Sequence, residues 1–218
     1  MSFFINNMQN QVSFTSNIKF VDPYHFLKIR KGDRIGYKHN EVNILKSPMF
    51  YSEEIRTCTG GGLVNPQIEA EGFHFWDDLK NKKNFNLIIN SLFRFIKNPQ
   101  QALLIGSKDL NSNPLSTEQF QKIKQIFLER VPNITIFEKH RFRNSESHYH
   151  YNLKDDTWTI CTTYTHPEDI KRQSIKNIKD LKNCFEHIQI SSKDKLYINN
   201  TEITPHDYPE IFQIKNKI

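Results

Sequence analysis

Residues 147–164 read SHYHYNLKDDTWTICTTY, and this stretch restricts the fold more than any other. Two runs of alternating character flank Asp155-Asp156, which is the signature of a β-hairpin closed by a short turn. A hairpin with bulky alternate residues needs a second layer to cover one face. Two stretches supply helices for such layers. NFNLIINSLFRFIKN carries Leu87, Ile88, Leu92, Phe95 and Ile96 at helical spacing and meets Pro99. STEQFQKIKQIFLERVP places Phe120, Ile123, Phe127 and Leu128 on one face, with Ser116 and Gln119 spaced as a capping box. Between them QALLIG is a short apolar run ending in Gly106, as a buried strand would be.

The remaining segments add strands. YHFLKIRKGDRIGY reads as two short strands around a Lys31-Gly32-Asp33 turn, and EVNILKSPMFYSEEIRTC as extended chain broken at Pro48. NITIFEKHRF is a further strand, and KLYINNTEI a last hairpin turning at Asn199-Asn200. A helix is expected around Ile175, Ile178, Leu181, Phe185 and Ile188. The sum is an α+β domain with a mixed or antiparallel sheet system. Residues 1–20, polar and rich in Asn and Gln, read as a loose arm before a single domain over 21–218.

With 218 residues, 37% hydrophobic and 17 Phe, the chain is long and apolar enough to bury a core. The net charge is +6, but the basic residues are scattered, as on a solvated surface, and nucleic acid is not expected as a partner. Three cysteines without a CxxC pair make neither a disulfide framework nor a zinc ribbon. The N-terminus lacks a basic n-region followed by an apolar run, and no segment is apolar enough to span a bilayer. The expected location is the cytoplasm, or outside the cell by a route that uses no classical signal peptide.

The window TCTGGGLVNPQIEAEGFHFW, residues 57–76, holds four of the seven glycines: Gly60, Gly61, Gly62 and Gly72. Cys161 and Cys184 sit among apolar neighbours and read as small buried hydrophobes. Cys58 differs, with Thr57 and Thr59 beside it and three glycines following. It reads as a site thiol rather than a core plug. Glycines next to a nucleophile permit a tight turn and leave N–H groups of Thr57, Thr59, Gly60, Gly61 and Gly62 to converge on an oxyanion. A thiol needs a base at neutral pH. His74, on a strand with Phe73 and Phe75 facing the other way, is positioned to be one. The bland alternative is a histidine hydrogen-bonded at a sheet edge.

These features together resemble the cysteine glutamine deamidases, a group that includes the CheD-type chemoreceptor deamidases and the catalytic domains of cytotoxic necrotizing factor toxins. The matching residues are Cys58, the glycine-containing segment, and Gly72-Phe73-His74-Phe75, with His74 sixteen residues after the cysteine. The likeness covers roughly residues 50 to 79. It implies two packed mixed sheets flanked by helices. It implies a hydroxyl residue six positions before the cysteine, here Ser52, that orients the histidine. Thr57 departs from the small residue common before the nucleophile in that group.

On this resemblance the chain is expected to be a cysteine hydrolase, converting a glutamine side chain of a partner protein to glutamate without metal or cofactor. A secreted bacterial effector or toxin is one setting for it. The alternatives are a cysteine protease or other amidohydrolase, a transglutaminase using the same thiol, and a non-enzymatic protein-binding module. A rival constellation is His148 and His150, which alternate onto one strand face with Glu146 near them and His140 upstream. It reads as a polar cross-strand face more readily than as a metal site. The glycine run is followed by no Lys-Ser/Thr and is not a phosphate loop.

Overall fold

The computed structural model describes residues 16–36, 43–76, 82–107, 114–131, 133–141, 145–164, 195–198, 200–204 and 206. The expected helix around 175–188, with Cys184, lies outside the described residues. In chain order the elements are β1 (Asn17–Phe20), α1 (Pro23–Ile29), β2 (Asp33–Arg34), β3 (Ile44–Lys46), β4 (Met49–Ile55), β5 (Thr59–Asn65), β6 (Glu69–Phe75) and α2 (Lys82–Phe95). Then come β7 (Gln101–Ser107), α3 (Pro114–Arg130), β8 (Thr135–Arg141), β9 (Ser145–Asn152), β10 (Thr157–Tyr164), β11 (Leu196–Ile198) and β12 (Thr201–Ile203).

The strands form two mixed sheets. One runs β12-β11-β1-β10-β9-β4-β2 and the other β3-β6-β5-β7-β8. Their inner faces share one apolar core. Ile18, Phe50, Ile55, Tyr149, Tyr151, Trp158 and Ile160 come from the first sheet, and Val64, Ala70, Leu103, Ile105 and Phe137 from the second. The outer face of the second sheet, with Leu63, Phe73, Phe75 and Leu104, is covered by α2 and α3. The α+β architecture with two packed mixed sheets is thus the observed one.

Several local expectations are corrected. Residues 17–20 do not belong to a loose arm. They form β1 inside the larger sheet, parallel to both β10 and β11, with Ile18 and Phe20 buried. Residues 23–29 are a helix, not a strand. Asp22 caps it, its carboxylate accepting from the His25 N–H at 2.9 Å, and Pro23 opens its first turn. In α2 the buried face is Phe85, Ile89 and Leu92, with Ile96 buried just past its end, and Leu87 and Phe95 are exposed. In α3 Leu128 is likewise exposed. Ser116 lies inside the first turn of α3, because the helix begins at Pro114, so Ser116 and Gln119 form no capping box. Gln119 Nε2 instead donates to the Phe75 carbonyl oxygen at 3.2 Å, tying α3 to the end of β6.

Candidate functional site

Chain entry into the site begins with a bulge. β4 pairs with β9, and its register shifts between Ser52 and Ile55. Within that bulge Glu54 has φ of 62°, a left-handed conformation that a non-glycine residue adopts only under local constraint. The Glu54 N–H donates to His148 Nδ1 at 3.3 Å, which supplies part of the constraint. After Ile55 the chain leaves the larger sheet. Arg56, Thr57 and Cys58 form the bend, and Thr59 opens β5 in the smaller sheet. Cys58 therefore stands where the chain crosses from one sheet to the other.

β5 and β6 are antiparallel, with Thr59 opposite Phe75 and Gly60 opposite His74. Continuing this register puts Cys58 on the same face as Gly60 and diagonal to His74. Diagonal neighbours on such a pair have main chains about 7–8 Å apart, within reach of a thiol and an imidazole turned toward each other. Phe73 and Phe75 point to the helix-covered face, so the alternation expected from the sequence is observed. Both Cys58 and His74 face the core between the sheets.

Ser52 reaches His74 from the other sheet. Its Oγ lies 2.8 Å from His74 Nδ1 and 3.2 Å from the Ile35 carbonyl oxygen. Tyr149, on β9, is the ladder partner of Ser52. Tyr149 gives its own proton to the Phe73 carbonyl oxygen, at 2.7 Å. The single Ser52 proton thus has an acceptor besides the imidazole, Ile35 O. With the proton given to Ile35 O, Ser52 Oγ faces His74 Nδ1 as an acceptor. This count assigns the proton of the neutral ring to Nδ1 and the lone pair to Nε2. The ring is neutral, because burial, with Arg34 nearby as a smaller cause, pushes the His74 pKa down to about 3. Backbone support comes from the His74 N–H, which donates to Asn43 O at 2.9 Å.

Two expectations for this window change. Cys58 is only 2% exposed and belongs to the core between the sheets, so the polar neighbours did not signal a solvent-facing thiol. Of the two flanking threonines Thr57 is exposed, and Thr59 is buried and turns to the opposite face. The glycines are not a loop. Gly60, Gly61 and Gly62 lie in β5, which pairs with β6 on one side and β7 on the other. Their amides are committed to two ladders and do not converge on one oxygen. The turn lies further on, at Asn65–Glu69, where Gln67 has φ of 62°. The glycines serve close approach instead. Gly61 has φ of 149°, and a Cβ there would sit 1.9 Å from the Leu103 carbonyl oxygen. A Cβ on Gly62 would lie 2.8 Å from the Trp158 ring, so the bare backbone makes room for that indole.

The His148–His150 face does not assemble a metal centre among the described residues. His148 Nδ1 accepts from Glu54, and its Nε2 lies 2.8 Å from Thr163 Oγ1. Glu146 pairs with Arg56. The side chain of His140 lies outside the described residues. Tyr149 is a site neighbour that sequence reasoning missed. Its signal was present: Tyr149 and Tyr151 alternate with the histidines and define the core face of β9.

No protein-family model matches the chain, and no curated protein matches it significantly. The deamidase likeness rests on the residues between 50 and 79 alone.

Proposed function

We propose that the chain is a cysteine hydrolase of the glutamine-deamidating kind, with Cys58 as nucleophile, His74 as base and Ser52 as the group that orients the base. The observation that carries this reading is the Ser52–His74 hydrogen bond between the two sheets. It leaves Nε2 as the proton acceptor of a ring that shares a face with Cys58.

In the proposed reaction His74 Nε2 takes the Cys58 proton, and the thiolate attacks the carboxamide carbon of a glutamine side chain. The tetrahedral intermediate collapses with cleavage of its C–N bond, and His74 returns its proton to the departing ammonia. Water then gives a proton to His74 and attacks the thioester. Glutamate leaves and the thiol is restored. Oxyanion donors must come from the Thr57–Thr59 end of β5, because the glycine amides are engaged. Cys58 and His74 are both buried. A narrow carboxamide on a flexible side chain therefore reaches the thiol only when this end of the sandwich opens locally. No metal or cofactor takes part in the proposed steps.

The test is incubation with whole protein extracts, followed by peptide mapping for glutamine-to-glutamate conversion, comparing the native chain with Cys58→Ala. Conversion at defined glutamines by the native chain alone supports deamidation. New peptide termini instead of converted glutamines would establish the protease alternative, and conjugation of a supplied amine the transglutaminase.

One observation favours a different reading. Cys58 is buried within the apolar inter-sheet core, as a small structural hydrophobe would be. In that reading the chain is a binding module, and the Ser52–His74 pair only satisfies two buried polar groups.

A further inference from the structure

We infer that Tyr149 is a positioning residue for the Ser52–His74 pair, holding the strand that carries the imidazole against the sheet that carries the hydroxyl. This rests on the hydrolase reading above and extends it by one residue.

Ser52 and Tyr149 are direct partners in the antiparallel β4–β9 ladder. Tyr149 is fully buried, and its ring enters the space beside Gly60: a Cβ on Gly60 would lie 3.3 Å from Tyr149 Cε1. Gly60 is the residue opposite His74. The phenol thus passes from the larger sheet into the slot that the glycine leaves under the imidazole strand.

At its tip the phenol donates to the carbonyl oxygen of Phe73, the residue before His74, at 2.7 Å. That bond ties the imidazole strand to the sheet that carries Ser52. Ser52 Oγ donates to Ile35 O at 3.2 Å and so meets His74 Nδ1 as an acceptor at 2.8 Å. Removing the phenol oxygen takes the cross-sheet donor from Phe73, and the imidazole is less firmly held against Ser52 Oγ. A ring released from that acceptor is free to shift its proton. A ring that accepts at Nδ1 carries its proton on Nε2 and no longer serves as the thiol's base.

The experiment combines nitrogen-15 NMR of the His74 ring with the rate of Cys58 alkylation by iodoacetamide, in the native chain and in Tyr149→Phe. The substitution keeps the ring and removes only the oxygen. Tyr151→Phe, which removes a buried phenol bonded to Asp156 instead, is the control. The native ring is expected in the Nδ1–H form, with Tyr149→Phe a mixture of tautomers and several-fold slower at Cys58. Tyr151→Phe should match the native chain in both. In a Ser52→Ala background the further loss from Tyr149→Phe should disappear, because the phenol acts by holding the imidazole against that hydroxyl. Equal effects of the two phenylalanine variants, or additive effects of Ser52→Ala and Tyr149→Phe, would overturn the inference. Should Tyr149→Phe fail to fold, the native ring decides: protonation at Nε2 overturns it. His74→Asn keeps the two readings apart. If Cys58 alkylation ignores His74→Asn, the hydrolase reading fails whatever Tyr149 does.

Discussion

Ser52 Oγ and His74 Nδ1 stand 2.8 Å apart although they belong to different sheets, Ser52 to β4 and His74 to β6. The hydrogen bond is therefore a strut between layers as well as a constraint on the imidazole. Ser52→Ala leaves a buried N–H without its acceptor and is expected to cost about 1–3 kcal/mol of stability. Urea unfolding of the variant measures that cost. An unchanged midpoint would show that the ring finds another acceptor.

Cys58 and Cys161 are both almost fully buried, Cys58 between the sheets and Cys161 beneath α1 with Val21 and Phe26. Serine at either site places a hydroxyl in apolar surroundings. Both Cys58→Ser and Cys161→Ser should lose about 1–3 kcal/mol if the hydroxyl finds no partner. Stability therefore does not separate a site thiol from a core thiol here, and only chemistry does. Thermal unfolding of the two variants should give similar shifts. A Cys58→Ser variant as stable as the native chain would mean that its surroundings are more polar than the packing shows.

Glu71 is a carboxylic acid inside the fold. It is fully buried on the helix-covered face of β6, and neither carboxyl oxygen has a hydrogen-bond partner among the described residues. Lys46 is its partner in the β3–β6 register, but the ammonium binds Glu69 Oε2 at 2.5 Å and the Phe95 carbonyl oxygen at 2.8 Å instead. Burial pushes the Glu71 pKa up to about 8, against a smaller pull from Lys46. The folded chain keeps this proton where the unfolded chain has lost it, so its contribution falls as pH rises from about 4.5 to about 8. The slope approaches about 1.4 kcal/mol per pH unit. Between pH 6.5 and 8 the buried histidines no longer oppose it. Stability measured across that window should fall in the native chain and stay level in Glu71→Gln. A native chain with no slope there would show that the carboxylate reaches water or Lys46.

The histidines act at the acid end. Burial pushes His148 down to about 4 and His74 to about 3. Lys139, and less strongly Arg30, add to the burial effect at His148, whereas Glu54 opposes it. The unfolded chain takes up these protons below about 6.5 and the folded chain does not, so stability is lost as pH falls from there toward 4. Each histidine steepens the loss by up to about 1.4 kcal/mol per pH unit. Protonated His148 cannot accept the Glu54 N–H, so the bulge before Cys58 is released with it. His148→Asn should flatten the acid limb by one group and raise hydrogen exchange at the Glu54 amide. An unchanged exchange rate would remove His148 from the support of the bulge.

The alternation in GFHFW was legible because it is a local property: Phe73 and Phe75 turn to one layer and His74 to the other. The hairpin of β9 and β10 and the α2 and α3 helices were legible for the same reason. The glycines misled because a run of three reads locally as a turn. Their use depends on Leu103 and Trp158, distant in sequence, which occupy the space that side chains would fill. Cys58 misled likewise, since its chain neighbours are polar but the side chain is buried in the apolar core between the sheets. The α1 helix was missed although Asp22-Pro23 is a start signal, because the alternating YHFLKI that follows also fits a strand. Ser52 was found only through a resemblance, as nothing local marks a serine in a strand for a histidine on another sheet.

The central claim is that His74 is the base for the Cys58 thiol. The direct measurement is the rate of Cys58 alkylation by iodoacetamide from pH 5 to pH 9, resolved from Cys161 by peptide mapping, in the native chain and in His74→Asn. The account predicts that Cys58 reacts faster than Cys161 near neutral pH, and that His74→Asn removes the difference while the chain stays folded. Cys161 is a useful reference, because burial pushes its thiol up to about 12. Reactivity of Cys58 no greater than that of Cys161, and unaltered by His74→Asn, would contradict the account and leave Cys58 as part of the core.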